Sequence, residues 1–338
     1  MSMQESPAPE FAPALQAYLR EAIPGLEGAM RMQSISGGQS NPTYFVSFDN
    51  RRLVMRKQPP GKLLPSAHAI DREYRIISAL ADTPVPVPPS ILYCNDPSHI
   101  GTPFYVMERV DGRIFHDCTL PDVSKSERRA MYRAMAQTLA AFHSVNVNAV
   151  GLGDYGKPGN YFARQISRWS KQWELSRTRD DPNVEKLIAW LPEHIPDDDR
   201  TSLVHGDYRT GNIMFHPTEP RVVAVLDWEL STLGHPLADV AHNAIAWLTA
   251  CDEYGGLIGI DIDSLGIPSL DEYIADYNAA AGEPIELTNF HKAFALFRWT
   301  IIFEGIAARA KAGNAAAENA SEAGKLAAIF ARRAAAFI

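Results

Sequence analysis

The sequence has little cysteine, no excess of positive charge and no long apolar run. Its three cysteines, Cys94, Cys118 and Cys251, lie far apart and form no C-x-x-C pair, so we expect reduced thiols rather than a disulfide framework. The net charge of −8 disfavours generic binding to duplex nucleic acid, which requires a basic face. No stretch reaches the roughly 18 apolar residues of a membrane span, and an N-terminus with glutamates and prolines is not typical of a signal peptide. These absences predict a cytoplasmic protein without a nucleic-acid or membrane partner, and they leave its oligomeric state open.

What is present is the composition of a soluble globular protein, with 46% hydrophobic and 21% charged residues. A length of 338 residues exceeds the usual size of one domain, which favours one large domain or two lobes. The apolar periodicity changes near residue 110, because strand patterns dominate before it and helical patterns after it. The sequence therefore predicts an α+β protein, with a small antiparallel β lobe over residues 1–110 and a larger, mainly helical lobe over residues 111–338.

The predicted elements of the first lobe are a leading helix, a hairpin, one interior helix and two further strands. They cover residues 11–23, 43–48 with 52–56, 66–81 with Ser66 as N-cap, 91–94 and 103–110. The second lobe is predicted to contain six helices and two short strands. The helices cover residues 123–144, 160–177, 237–251, 268–280, 287–312 and 316–337, and the strands lie in NIMF and RVVAVLD.

One segment, LVHGDYRTGNIMFHPTEPRVVAVLDWE, contains Asp207, Asn212 and Asp227. Phosphoryl transfer needs a carboxylate that orients the attacking hydroxyl or accepts its proton, together with oxygen ligands for magnesium. A loop followed by a hairpin brings such residues to one edge of a cleft. The alternative is that each carboxylate only caps a turn.

The motif H-G-D-Y-R-T-G-N resembles the H-x-D-x-x-x-x-N catalytic loop of the protein-kinase-like fold, and L-D-W-E stands where D-F-G would be. Gly206 in place of arginine resembles the aminoglycoside phosphotransferase and choline kinase branch of that fold. The resemblance implies that Asp207 is the catalytic base and that Asn212 and Asp227 hold Mg²⁺. It also implies supporting roles for His205 beneath the loop and for Asp239, in GHPLADVA, as a brace of the loop backbone.

Arg209 and Glu229 flank these positions. Arg209 follows Asp207 by two residues, where many kinases carry a lysine that touches the transferred phosphate, so it is a candidate catalytic residue; the alternative is a solvated or ion-paired arginine. Glu229 is either a carboxylate of the cleft or a surface residue.

The strand LVMR resembles the V-A-I-K strand that presents a phosphate-binding cation. Period-two alternation sends Arg56 and Lys57 to opposite faces; the resemblance favours Arg56 as that cation and leaves Lys57 as the alternative. Glu73 occupies the helix position from which this fold pairs a glutamate with the cation, although its spacing also suits a solvated helix residue. We expect ATP and Mg²⁺ as cofactors.

Two further segments supply candidate nucleotide-binding residues. The segment ISGGQSNPTY precedes the first hairpin strand, where backbone amides of a loop would cover phosphates, and its candidates are Gly37, Gly38, Ser40 and Asn41. The other segment resembles the hinge that meets the adenine edge, with candidates Met107, Glu108 and Val110.

The sequence provides less information about the acceptor. The short connection between Asp227 and the helix predicted from residue 237, with no A-P-E, argues against a protein kinase. RKQPPGKLLPSAHAIDREYRII and NYFARQISRWSKQW resemble the kinase-like domains fused to animal acyl-CoA dehydrogenases, which implies a hydroxyacyl-CoA acceptor. Arg164, Arg168 and Lys171 form a basic stripe that suits an anion, or a solvated helix face. An aminoglycoside or amino alcohol acceptor, and a non-catalytic nucleotide-binding module, remain the alternatives.

Overall fold

The computed structural model describes residues 9–35, 41–61, 69–311 and 320–338. By its internal packing the chain forms two compact units. The first contains the residues up to Gly112 together with Val223–Glu229, and the second contains Arg113–Val222 and Leu230–Ile338. The short segment Val223–Glu229, which contains Asp227, therefore belongs with the N-terminal unit.

The first unit is built on a five-stranded antiparallel sheet in the order β1-β2-β3-β5-β4. Its strands are β1 (Arg31–Ser34), β2 (Thr43–Ser47), β3 (Arg52–Lys57), β4 (Ser90–Cys94) and β5 (Phe104–Glu108). Its helices are α1 (Ala12–Ala22) and α2 (Ile70–Leu80), and all but the first residue of β9 (Val222–Val225) lies in the later segment.

One core of this unit forms where α1 meets the sheet. Leu15 and Leu19, one helical turn apart, are fully buried against Val46, Leu53 and other strand residues. Helix α2 contacts β4 and β5 instead. Because α2 packs on the sheet, its polar residue Glu73 is buried rather than solvated, with 1% of its surface exposed.

The second unit is mainly helical. Its helices are α3 (Lys125–His143), α4 (Tyr161–Ser176), α5 (Pro182–Trp190), α6 (Pro236–Leu248), α7 (Ile262–Leu265), α8 (Leu270–Ala281), α9 (Asn289–Lys311) and α10 (Ala320–Ala335). Its short strands are β6 (Arg113–Ile114), β7 (Ser202–Val204), β8 (Ile213–Phe215) and β10 (Thr232–Gly234), with β6 antiparallel to β8 and β7 antiparallel to β10.

Helix α9 is the centre of this unit, since α4, α6 and α10 all pack against it. Its buried residues occur around the whole helix, from Phe290 through Phe297 to Ala307, as a helix covered by neighbours requires. Through this packing α6 and α9 contact each other. Their contact brings side chains of distant sequence positions beside the loop after β7.

The predicted α+β architecture is confirmed, and several element predictions need correction. Helix α2 begins at Ile70, later than predicted, and the proposed cap Ser66 lies outside the described residues. The sequence analysis missed the short elements β1, β6, β7, β10, α5 and α7. A strand of two to four residues has no measurable period-two pattern, so its pairing is decided by tertiary contacts. Within the described ranges, no helix combines the length and the apolarity needed to cross a membrane.

Candidate active site

The loop that follows β7 is held by Asp239 of α6. The Asp239 carboxylate accepts the backbone N–H groups of His205 at 2.5 Å and Gly206 at 2.8 Å. Burial acts to raise the pKa of Asp239, but hydrogen bonding by His143 and His205 outweighs it and lowers this pKa. Arg298 of α9 donates to the Gly206 carbonyl at 2.6 Å. The protein itself therefore supplies hydrogen-bond partners for two N–H groups and one carbonyl of the loop backbone.

Glycine is required at position 206 for two reasons. Its φ of +84° lies in the left-handed region, which disfavours side chains. A Cβ there would also lie 2.9 Å from the carbonyl oxygen of Leu230. An arginine at this position, as in the H-R-D motif, therefore does not fit this backbone.

Asp207 has hydrogen-bond donors at both carboxylate oxygens. His242 Nε2 lies 3.0 Å from Oδ1, while Asn212 Nδ2 lies 2.7 Å and Arg209 Nε 3.3 Å from Oδ2. Burial raises the pKa of Asp207, but the His242 hydrogen bond and the Arg209 charge outweigh it, and the pKa falls well below its ordinary range. We call Asp207, Arg209, Asn212 and His242 the loop cluster.

The orientation of Asn212 follows from its hydrogen bonds. Its amide nitrogen donates to both the backbone carbonyl and the carboxylate of Asp207, at 2.8 and 2.7 Å. The amide oxygen is consequently the atom that Asn212 can offer to a cation. This side chain is 7% exposed.

A second group of charges lies in the first unit. Arg56 of β3 lies 3.3 Å from Glu73 of α2 and 3.4 Å from Asp227. Glu73 also accepts the Tyr105 hydroxyl at 3.1 Å. We call Arg56, Glu73, Asp227 and the adjacent Glu229 the strand cluster.

Burial dominates the electrostatics of the strand cluster. It raises the pKa of Glu73 to about 7, against the opposing effect of Arg56. Burial lowers the pKa of Arg56, but the negative charges of Glu73 and Asp227 outweigh it and raise this pKa. Arg56 is therefore the fixed charge of the pair, and Glu73 is the member that titrates.

Lys57 does not take part in this cluster, which corrects its place among the candidates. Its ammonium group donates to the Ile100 carbonyl at 3.2 Å and lies 4.0 Å from the centre of the Phe11 ring. Burial lowers its pKa. Arg56 and Lys57 point to opposite faces of β3 as the alternation predicts, and of these two Arg56 is the one that contacts Glu73 and Asp227.

Asp227 adopts a left-handed backbone conformation, with φ of +64°. Aspartate tolerates this region better than most residues. One carboxylate oxygen from each of Glu73, Asp227 and Glu229 lies within 4.8 Å of the others. Oxygen ligands at this spacing suit a hard cation such as Mg²⁺, and Glu229 belongs to the group rather than to the surface.

The remaining candidates are placed as follows. Gly37, Gly38 and Ser40 lie outside the described residues. Asn41 is buried, and its backbone carbonyl accepts the Thr43 hydroxyl at 3.0 Å.

In the predicted hinge, Met107 is buried in β5, and Val110 lies beyond the end of that strand. The Glu108 carboxylate pairs with Arg51 at 2.5 Å, and its N–H donates to the Pro89 carbonyl at 2.9 Å. Both groups of Glu108 are therefore engaged within the first unit.

Comparison with known proteins agrees with this geometry. The sequence profile of the Phosphotransferase enzyme family (APH) matches residues 31–291. A crystal structure of a candidate aminoglycoside phosphotransferase from Ralstonia eutropha is 46% identical, with a TM-score of 0.89, and the match covers 96% of this chain and 97% of that one. The chain belongs to the phosphotransferase enzyme family. It is thus a phosphotransferase with a hydroxyl group as acceptor, and the family predicted from the sequence is confirmed.

Two other comparisons with this phosphotransferase are informative. Acyl-CoA dehydrogenase family member 10 of Mus musculus is 45% identical over 317 residues, which cover 93% of this chain and only 30% of the mouse protein. The aminoglycoside phosphotransferase APH(4)-Ia, solved with ADP and hygromycin B, has a TM-score of 0.61 at 15% identity and covers 95% of this chain and 98% of its own. The second likeness shows a common fold.

Sequence reasoning missed two contacts of this phosphotransferase. His242 was not considered, although its Nε2 lies 3.0 Å from Asp207. Tyr105, whose hydroxyl bonds Glu73, was also overlooked. Each joins residues far apart in the chain, and no motif spacing marks either. A histidine in an otherwise apolar helix was the one available signal, and it more often indicates a satisfied core residue.

Proposed function

We propose that this phosphotransferase transfers the γ-phosphate of ATP to the hydroxyl of a small molecule, with Asp207 as the catalytic base. The supporting observation is the loop cluster, in which three donors hold a carboxylate in its ionised form. An ionised carboxylate in a constrained position is what proton acceptance requires. The hydroxyl oxygen bonds to the γ-phosphorus, the bond from that phosphorus to the β–γ bridging oxygen breaks, and the hydroxyl proton passes to Asp207.

The strand cluster suits the phosphates of the nucleotide. In this proposal Arg56 is the phosphate-binding cation, and Glu73 keeps it oriented from the buried side. Arg209 neutralises charge that develops on the transferred group. This role is secondary to its ion pair with Asp207, which the two side chains form at 3.3 Å.

Magnesium fits the donor chemistry of the chain. Asp227 would hold it, with Glu229 as a further carboxylate beside it. The amide oxygen of Asn212 is the ligand that we propose from the loop cluster. When bound, Mg²⁺ would supply positive charge that neutralises the phosphates. The residues of the chain orient the nucleotide and accept the proton.

A 4-hydroxyacyl-CoA is the acceptor we propose to test first. Arg168 and Lys171 lie on an exposed face of α4, and their positive charges would suit the phosphates of such a molecule. A polycationic acceptor would instead need acidic residues, which are concentrated in TRDD at 178–181 and PDDDR at 196–200. Two of these aspartates are engaged internally, because Asp181 pairs with Arg179 at 3.4 Å and Asp198 with Arg200 at 2.5 Å. The name of the mouse relative, an acyl-CoA dehydrogenase family member, points to the same class of compound.

The test is ATP turnover with Mg²⁺ and separate panels of 4-hydroxyacyl-CoA, choline, sugars and aminoglycosides. We expect phosphorylation of the hydroxyacyl-CoA, and we expect Asp207→Asn to lower kcat by about 10²–10⁴-fold while ATP still raises the melting temperature. Asp263→Asn, at an exposed residue of α7, is the matched control and should keep full activity. ATP-dependent stabilisation without turnover on any panel would instead indicate a nucleotide-binding module.

A further inference from the structure

His242 is the one loop-cluster residue contributed by α6. It is 4% exposed, so water does not compete for its ring. Its Nε2 lies 3.0 Å from Asp207 Oδ1, and its Nδ1 lies 3.2 Å from Trp299 Nε1 of α9. Both ring nitrogens therefore have a defined protein partner.

Trp299 and Asp207 together determine which nitrogen of His242 carries the proton. An indole N–H can only donate a hydrogen bond, so Nδ1 must accept it and must be unprotonated. A neutral ring with an unprotonated Nδ1 carries its proton on Nε2, which faces Asp207. Burial lowers the pKa of His242, in agreement with a neutral ring. His242 is therefore a hydrogen-bond donor to the Asp207 carboxylate.

This donor supplies a restraint that Asn212 and Arg209 do not. Both of those residues bond Oδ2, at 2.7 and 3.3 Å. The terminal torsion of an aspartate has a broad energy minimum, so a carboxylate held at one oxygen can still rotate. A third donor at Oδ1 holds the other oxygen and fixes the plane of the group.

We propose that His242 is a positioning residue for phosphoryl transfer, which holds Oδ1 of Asp207 through its Nε2–H, and that Trp299 locks the required tautomer. The proposal rests on the proposed role of Asp207 as the base. Misplacement of a reacting group by about 1 Å can reduce a rate about 100-fold. We expect the effect on kcat rather than on the KM for ATP, because the His242 ring bonds Asp207 and Trp299 rather than residues of the strand cluster.

Three variants separate this role from simple packing. His242→Leu removes the donor and should lower kcat about 10–100-fold with the KM for ATP within about 2-fold of the wild type. His242→Gln keeps an N–H donor of similar reach, and a cavity of about 50 Å³ beside the ring leaves room for it, so most of kcat should return. Trp299→Phe lets Nδ1 take up a proton, and the resulting positive charge makes Asp207 a weaker proton acceptor, so kcat should fall in the wild-type background. It should have little effect when combined with His242→Gln, because an amide takes up no second proton.

Melting temperatures of all variants establish that each is folded. An unchanged kcat in folded His242→Leu, or equal losses in His242→Leu and His242→Gln, would overturn the proposal. An equal loss of kcat from Trp299→Phe in the wild-type and His242→Gln backgrounds would also overturn it.

A second measurement keeps the idea testable if the wild type shows no turnover, a result that counts against the proposed function alone. Nitrogen NMR of ¹⁵N-histidine-labelled protein at neutral pH, with the signal assigned by its loss in His242→Gln, reads the tautomer directly. We expect protonated Nε2 and unprotonated Nδ1 in the wild type, and protonation of Nδ1 in addition to Nε2 in Trp299→Phe, because the Asp207 carboxylate can only accept and keeps the proton on Nε2. In the wild type, a doubly protonated ring or a proton on Nδ1 would refute the tautomer lock.

Discussion

Replacement of Arg56 by methionine tests the strand cluster, and Lys57→Met on the opposite face of β3 is its matched control. The Arg56 guanidinium lies 3.3 Å from Glu73, whose side chain is 1% exposed. Without Arg56 this carboxylate would be buried without its cation. Within the described part of the chain, the Lys57 ammonium contacts the Ile100 carbonyl and the Phe11 ring, so its loss leaves no carboxylate unpaired there.

The expected magnitude follows from the distance and the burial. Two unit charges at 3.3 Å attract by about 5 kcal/mol at an effective dielectric constant of about 20. Removing one partner of a buried pair costs about 3–5 kcal/mol. Because the pKa of Glu73 is already about 7, protonation relieves part of this penalty, and we expect about 3 kcal/mol for Arg56→Met. For Lys57→Met we expect about 1 kcal/mol or less, the contribution of one hydrogen bond.

The sign of the pH dependence is a further check. Burial raises the folded-state pKa of Glu73 above its unfolded value, and loss of Arg56 raises it further. The folded state then holds the proton more tightly than the unfolded state, so stability is lost as pH rises. Arg56→Met should therefore be more destabilised at pH 8 than at pH 6, as measured by urea unfolding.

Measurements of ATP affinity distinguish the role of Arg56 in stability from its role in nucleotide binding. Adding Glu73→Gln to Arg56→Met removes the unpaired carboxylate, so it should restore much of the stability while ATP affinity stays about 10–100-fold reduced, a typical loss for a charge-assisted contact. Calorimetric titration with ATP measures this difference. The reasoning fails if Lys57→Met weakens ATP binding more than Arg56→Met, or if the double variant recovers wild-type affinity.

Three further predictions concern the second unit. Burial lowers the pKa of His291 from 6.5 to about 3, so the free energy of unfolding should fall by at most about 5 kcal/mol as the pH drops between these two values. His291→Gln still accepts the Thr288 N–H and should flatten this pH dependence in acid titrations followed by circular dichroism. Gly206→Ala should cost about 1–3 kcal/mol in chemical unfolding and should lower kcat. Gly282→Ala should cost less, because its φ of +76° is similar but the added methyl meets open space; equal costs would exclude the clash with Leu230. Asp239→Asn should destabilise the fold by about 1–3 kcal/mol and lower kcat by misplacing the loop; an unchanged kcat would show that the loop keeps its shape without this brace.

Local features of this phosphotransferase were predictable because their causes are local. The helix predicted over residues 123–144 is observed as Lys125–His143, with the Ser124 hydroxyl accepting the Glu127 N–H as its cap. The loop motif likewise depends on neighbours in sequence, since Gly206 supplies the left-handed turn that positions Asp207. Such rules of backbone geometry operate within a few residues and can be recognised in a single sequence.

The choice between Arg56 and Lys57 could not be made in the same way. Alternation along β3 separates the two side chains but does not indicate which face receives α2. Only the packing of α2 on β4 and β5 places Glu73 beside Arg56 rather than Lys57.

The sequence by itself indicated the type of chemistry, through residue types and spacing in one segment, and it indicated the order of most of the longer helices and strands. Tertiary structure decided which groups surround those residues. His242 reaches Asp207 from α6, and Trp299 reaches His242 from α9, because these two helices pack together. No local periodicity encodes such contacts, since they arise from burial of apolar faces whose partners are distant in the chain.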